Sequence, residues 1–158
     1  IVATNLDGSS SDSAASSSSV LYSSIPTSAV TGLAVSVVSS TQVSLTWTAQ
    51  STPGNGYSSI TTYTVEYKLS SDSTWQSGNT TASSPATISG LTTLSTYYFR
   101  IKSTNAFGTG PTSSDSSVSA TLYGIPNVPA QPTLTQTSGS TSIVVTWTAP
   151  ANNGATIS

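Results

Sequence analysis

The sequence lacks the residue types on which most enzyme active sites depend. It contains no cysteine and no histidine, and only five acidic residues among 158. These absences exclude Ser-His-Asp and Cys-His nucleophile systems and the usual zinc sites. Without cysteine there is no disulfide either, so any domain must be held together by its apolar core.

Charge is equally sparse, with three Lys and Arg against five Asp and Glu, for a net charge of −2. Such a chain offers no basic patch for phosphates, which argues against nucleic acid as a partner. We expect no membrane span, because no apolar run approaches the roughly 18 residues that one needs. The chain begins at Ile1 without a signal-peptide pattern, so we expect an excerpt or a processed product.

Serine and threonine dominate, at 64 of the 158 residues. Low charge with this enrichment is typical of disorder. Three Trp, seven Tyr and a regular alternation of β-branched residues indicate folded β-structure instead. Exposed hydroxyls are also attachment points for O-linked sugar, which would supply the solubility that charge does not.

One stretch occurs twice, 100 residues apart, and ends both times in Thr-Trp-Thr-Ala. The first copy spans residues 41–49 and the second residues 141–149. Period-2 alternation predicts a strand whose Val43, Leu45 and Trp47 point inward. A large aromatic residue at a fixed long spacing indicates one domain repeated, with each copy built on its Trp.

Between the two copies the sequence predicts about seven short strands separated by turn signals. The predicted strands lie around residues 33–35, 43–47, 60–67, 75, 86–88, 97–101 and 118–122. This many short strands in about 100 residues is typical of a β-sandwich.

Residues 26–123 resemble a fibronectin type III domain. The resemblance rests on Trp47, on Ile60…Tyr63-x-Val65-x-Tyr67, on Gly90-Leu91 followed by Tyr97-x-Phe99-Arg100-Ile101, and on the Asn105…Gly108 turn. It implies an all-β, immunoglobulin-like sandwich of about seven strands, in tandem. The core that it implies consists of Trp47, Tyr63, Val65, Tyr67, Leu91, Tyr97, Phe99 and Ile101.

The resemblance also implies a tyrosine corner. Leu91 and Tyr97 occupy its positions, and the Tyr97 hydroxyl is expected to bond back to nearby backbone. The family often has Pro two residues after the Leu, whereas this chain has Thr93.

Sequence matches between the two ends of the chain and its middle part divide the chain into three segments. Residues 1–24 are expected to be the last two strands of a preceding repeat, residues 25–124 a complete domain, and residues 125–158 the first two strands of a following repeat. Thr4-Asn5 and Gly8 match Thr104-Asn105 and Gly108, and the Ser16–Ser19 run falls where a last strand should be, unless it is a linker.

The join to the following repeat is rich in proline (Pro126, Pro129 and Pro132), which we expect to stiffen it. The two partial repeats do not add up to one domain, because about 40 residues are missing between them. We therefore interpret the chain as a window on a longer tandem array.

Few residues are candidates for chemistry. Glu66 falls on the outward face of its strand, where ion pairing with Arg100 and Lys102 is favoured over catalysis. Trp75 is expected in the core rather than exposed for stacking on a sugar ring, and Tyr57 and Tyr98 are the better candidates for surface contact.

One N-linked glycosylation sequon, Asn79-Thr80-Thr81, is predicted in the turn before the strand at Ala86. Asn79 is therefore a candidate glycosylation site. We expect no catalytic residue, no metal ligand and no cofactor.

The function that these features favour is structural: tandem repeats forming an extracellular or cell-surface fibre. The expected partners are neighbouring repeats, neighbouring chains and covalent glycans. The alternatives are the repeat stalk of a surface adhesin and the spacer of a secreted carbohydrate-active enzyme.

Overall fold

A computed structural model describes residues 1–14, 21–113 and 118–157, and its regular elements are β-strands. The predicted Ser16–Ser19 strand lies outside the described residues. The strands are β1 (Thr4–Asn5), β2 (Gly8–Ser9), β3 (Thr31–Ser39), β4 (Gln42–Thr48), β5 (Ile60–Leu69), β6 (Gln76–Thr81), β7 (Ala86–Ser89), β8 (Thr96–Asn105), β9 (Gly108–Thr109), β10 (Ser119–Thr121), β11 (Thr133–Thr135) and β12 (Val144–Thr146).

Strands β3 to β10 form a sandwich of two antiparallel sheets. The smaller sheet has the order β3–β4–β7, and the larger sheet has the order β10–β8–β5–β6, with β9 also paired to β8. The prediction of an all-β sandwich is confirmed. We call residues 25–124, which contain these strands, the complete unit.

Alternation along each strand places the core between the two sheets. In β4, Val43, Leu45 and Trp47 are buried, as predicted, while Thr46 and Thr48 are exposed. In β8 every second residue is buried from end to end. Full burial of each large apolar side chain contributes about 1.5–3 kcal/mol, so these inward positions supply most of the driving force for folding.

The eight residues that the resemblance placed in the core do not all have the same burial. Seven are buried: Trp47, Tyr63, Val65, Leu91, Tyr97, Phe99 and Ile101. Tyr67 is partly buried and packs against the margin of the core, its ring centre 6.1 Å from that of Tyr97.

The tyrosine corner forms at the turn before β8. The backbone N–H of Thr92 donates to the Tyr97 hydroxyl oxygen at 3.0 Å, and the N–H of Leu91 donates to the Thr41 carbonyl at 3.0 Å. Thr93, which stands where the family often has proline, donates its hydroxyl to the Ser40 carbonyl at 2.9 Å. The corner is thus tied to the β3–β4 turn of the opposite sheet.

The hairpin β1–β2 repeats the geometry of the β8–β9 tip. Asn5 pairs with Gly8 as Asn105 pairs with Gly108. In both tips the asparagine side-chain oxygen accepts a hydrogen bond from the amide two residues on, at 2.9 Å. The glycines have φ of 137° and 136°, which favours glycine at this position. The sequence match therefore extends to backbone conformation.

The hairpin β11–β12 pairs antiparallel, as β3 and β4 do. Its Trp147 is 67% exposed, whereas Trp47 is 7% exposed. The difference arises because a sandwich strand buries its aromatic residue against the opposite sheet, and β11–β12 is a sheet of two strands.

We predict that Tyr97→Phe destabilises the complete unit by about 1 kcal/mol, because the Thr92 amide loses the acceptor of a part-buried hydrogen bond while the ring is kept. Urea denaturation measures the loss. Tyr98→Phe is the matched control on the outer face and should change stability by less than about 0.5 kcal/mol. Equal effects of the two substitutions would contradict a role for the corner bond.

Candidate functional site

The outer face of the larger sheet carries every Lys and Arg of the sequence, three in number. They lie on β5 and β8 at positions that alternate with core residues, so they point away from the sandwich. The sequence predicted no basic patch, but the fold brings these scattered cations to one surface. We call this surface the charged face: Glu66, Lys68, Trp75, Tyr98, Arg100 and Lys102.

Glu66 lies at the centre of the charged face, directly opposite Arg100 in the β5–β8 register. Its two carboxylate oxygens accept separate hydrogen bonds, from Arg100 Nε at 2.5 Å and from Lys102 Nζ at 2.6 Å. Its side chain is 13% exposed. The predicted ion pairing with Arg100 and Lys102 is confirmed.

This environment sets the acidity of the carboxyl group. Burial raises the pKa of Glu66, but hydrogen bonds from Lys102 and Arg100 and their positive charges outweigh it and leave the pKa below its ordinary value of 4.5. Glu66 is therefore ionised at neutral pH with both oxygens engaged. A carboxylate held this way is not poised for general acid catalysis.

Trp75 also belongs to the charged face. The prediction that it lies in the core is wrong: its ring is half-buried, with Arg100 Cζ 4.2 Å and Lys68 Nζ 5.1 Å from the ring centre. The chain places Trp75 just before β6 rather than within it, on the side of the sheet where the cations are. Cations are attracted to the negative face of the indole, which holds the ring there.

Tyr98 lies next to them, its ring centre 6.0 Å from Lys68 Nζ. The charged face thus combines two aromatic rings with three cations and a single carboxylate. Such a surface can contact carboxylates or sugar rings, and its internal pairs also stabilise the sheet. Tyr57, the other aromatic candidate for surface contact, is exposed in the loop before β5 with φ of 56°.

Asn79 lies in β6, an edge strand of the larger sheet, and not in the predicted turn. The prediction failed because β6 continues through the whole sequon to Thr81. Asn79 is exposed, and its side-chain amide donates a long hydrogen bond of 3.4 Å to the Thr87 carbonyl of β7. This contact is weak, so the amide remains accessible.

Residues 1–14, 21–113 and 118–157 contain no group of three or more acidic side chains close enough to hold a metal ion. The same residues include no helix long and apolar enough to cross a membrane.

We predict that stability falls as pH decreases through the pKa of Glu66. Because that pKa is lowered in the folded state, its stabilisation is present above about pH 4.5 and is lost as the carboxylate is protonated. Glu66→Gln should cost about 1 kcal/mol at pH 7 and flatten the decline between pH 5 and 3. Urea unfolding across this range measures both effects.

Asp7→Asn, in the exposed β1–β2 turn, is the control for loss of one negative charge. It should leave the pH profile of unfolding unchanged. Parallel profiles for the unmodified protein and Glu66→Gln would contradict the coupling between Glu66 and its cations.

The architecture and the sequence both match known proteins. A family model described as "Fibronectin type III domain" matches residues 28–119. The Drosophila melanogaster "Tyrosine-protein phosphatase Lar" is 31% identical over 133 residues, which is 82% of this chain and 6% of the phosphatase. The chain therefore spans a small fraction of that relative.

Solved structures agree on the fold. Domains A168–A170 of titin superpose with a TM-score of 0.56 at 28% identity, covering 62% of this chain and 32% of that one. The third fibronectin III domain of human KIAA0343 protein has a TM-score of 0.54 at 21% identity, covering 70% and 93%.

At 21% identity the second likeness shows the fold alone. Fibronectin type III domains are in general non-catalytic and are common in extracellular and cell-surface proteins. With a family match over more than half its length and the corresponding two-sheet sandwich, this chain belongs to the fibronectin type III family.

Proposed function

We propose that this chain is a structural, non-catalytic part of a tandem array of fibronectin type III repeats in an extracellular or cell-surface fibre. The observation that carries the proposal is recurrence on both sides of the complete unit. The β1–β2 hairpin has the geometry of the β8–β9 tip, and β11–β12 pairs like β3–β4. Residues 1–24 then end one repeat, residues 25–124 form the next, and residues 125–158 begin a third.

The surface suits side-by-side assembly. With a net charge of −2 and three cations on one face, neighbouring chains would meet little electrostatic repulsion. Exposed Ser and Thr hydroxyls, and Asn79 on an edge strand, would carry covalent glycans that keep the fibre soluble. The partners in this proposal are neighbouring repeats and neighbouring chains.

A stalk for a surface adhesin is the second candidate. The charged face favours it, because aromatic rings beside cations are typical of recognition surfaces. A spacer in a secreted carbohydrate-active enzyme would have the same repeats with a catalytic domain elsewhere in the chain. Both alternatives keep the structural role of the repeats and differ in what the array displays.

We predict that the native protein is far larger than the 15.9 kDa of this sequence. Mass spectrometry of the chain purified from its source, before and after chemical deglycosylation, measures this. A mass that remains large after sugar removal supports a long array, and a loss on deglycosylation adds the glycan coat. A mass near 15.9 kDa would contradict the array, and a flanking catalytic domain in the peptide map would favour the spacer.

A further inference from the structure

The connection between the complete unit and the segment that follows it is held from both sides. On one side Leu122, fully buried, donates its N–H to the Ser95 carbonyl and accepts from the Leu94 N–H, each at 3.0 Å. On the other side the Gly124 N–H donates to the Asn153 carbonyl at 2.9 Å. Tyr123 is the residue between these two anchored positions.

The prolines lie downstream of this connection. Pro126, Pro129 and Pro132 are expected to stiffen the join. The first hydrogen bond to the following segment is made by Gly124, before the chain reaches any of these prolines. The Asn127 N–H donates to the Ala151 carbonyl at 3.0 Å, and the Asn153 side-chain amide donates to the Ile125 carbonyl. The junction therefore lies at Tyr123, upstream of the proline-rich stretch.

Gly154 packs against that junction. It has φ of 93° and follows Asn153, whose φ is 49°, so the loop turns back through two left-handed residues. A Cβ atom on Gly154 would lie 2.8 Å from Cδ1 of the Tyr123 ring. Only glycine at position 154 leaves room for the Tyr123 ring to contact the backbone.

The complete unit contributes a second contact. A Cβ atom on Gly124 would lie 3.1 Å from Asn153 Cβ and 3.3 Å from Cγ2 of Thr93, the residue at the tyrosine corner. The corner of one unit and the Asn153-Gly154 loop of the following segment therefore meet around Gly124.

Within the complete unit, the loop that contains Gly54 and Gly56 binds residues 24–27 in a similar way. The Ser24 N–H donates to the Gly56 carbonyl at 2.8 Å, and the Thr27 N–H to the Gly54 carbonyl at 2.9 Å. Gly56 again has positive φ, 71°. Leu21-Tyr22 corresponds to Leu122-Tyr123 in sequence, with a slip of one residue. Tyr22 is 84% exposed, so the contact of an aromatic ring with the loop is made by Tyr123 and not by Tyr22.

We propose that the Asn153-Gly154 loop is a docking surface for the end of the preceding repeat, and that Tyr123 is the hinge between the two repeats. Its partner is another repeat of the same chain, presenting an aromatic ring immediately after its last strand. The inference rests on the proposed function in one respect, that residues 125–158 begin a repeat. The hinge consists of Tyr123 alone, and contact between its ring and the Gly154 backbone keeps the two repeats together.

We predict that Gly154→Ala opens the junction, because the added methyl group displaces the Tyr123 ring. Amide hydrogen exchange by NMR on the labelled 158-residue chain should show the Gly124 amide exchanging at least about tenfold faster. Gly139→Ala is the matched control: Gly139 lies in the same segment, has φ of 84°, and has open space where the Cβ would be. It should leave the Gly124 exchange rate unchanged.

A second readout is independent of stability. One Gly154 Hα resonance of the unmodified chain should be shifted downfield, because this proton faces the Cδ1 edge of the Tyr123 ring, and Tyr123→Leu should remove the shift while the resonances of residues 30–105 stay in place. An unshifted Gly154 resonance, or equal acceleration by both alanine variants, would overturn the proposed docking. These results do not depend on the native mass, so failure of the junction and failure of the array are distinguishable.

Discussion

The pairing of β5 with β8 is the constraint on which the rest of the molecule depends. Its register sets Val65 against Ile101 inside and Glu66 against Arg100 outside. Because side chains alternate across a strand, a slip of one residue would move the apolar set into solvent and the charged set into the core. One register therefore specifies both the sandwich and the charged face.

The same alternation explains why much of the structure could be predicted from sequence. Trp47 lies in a strand whose apolar and polar residues strictly alternate, and Phe99 lies midway between Tyr97 and Ile101 at a spacing of two, so their inward direction follows from counting. The partners of Glu66 follow by the same counting once β5 and β8 are taken as neighbours. The corner bond of Tyr97 was available only through the family resemblance, since nothing in the local pattern identifies a backbone donor at Thr92.

The features that were mispredicted depend on where elements begin and on contacts distant in sequence. Trp75 and Asn79 were misplaced because polar residues give no alternation by which to locate the start and end of β6. Proline content predicts a stiff join at Pro126, and the sequence gives no sign of the hydrogen bond that Gly124 donates to the Asn153 carbonyl about thirty residues later. No local sequence pattern predicts which distant carbonyl accepts the hydrogen bond of a given amide.

A hinge of one residue leaves almost no slack between repeats. In an array joined this way, end-to-end length is set by folded units in series, and a pulling force has little loose chain to straighten. Further extension then requires a whole unit to unfold. At about 3.3–3.6 Å per residue, one repeat of about 100 residues would release roughly 330–360 Å of chain, so the array would lengthen in discrete steps.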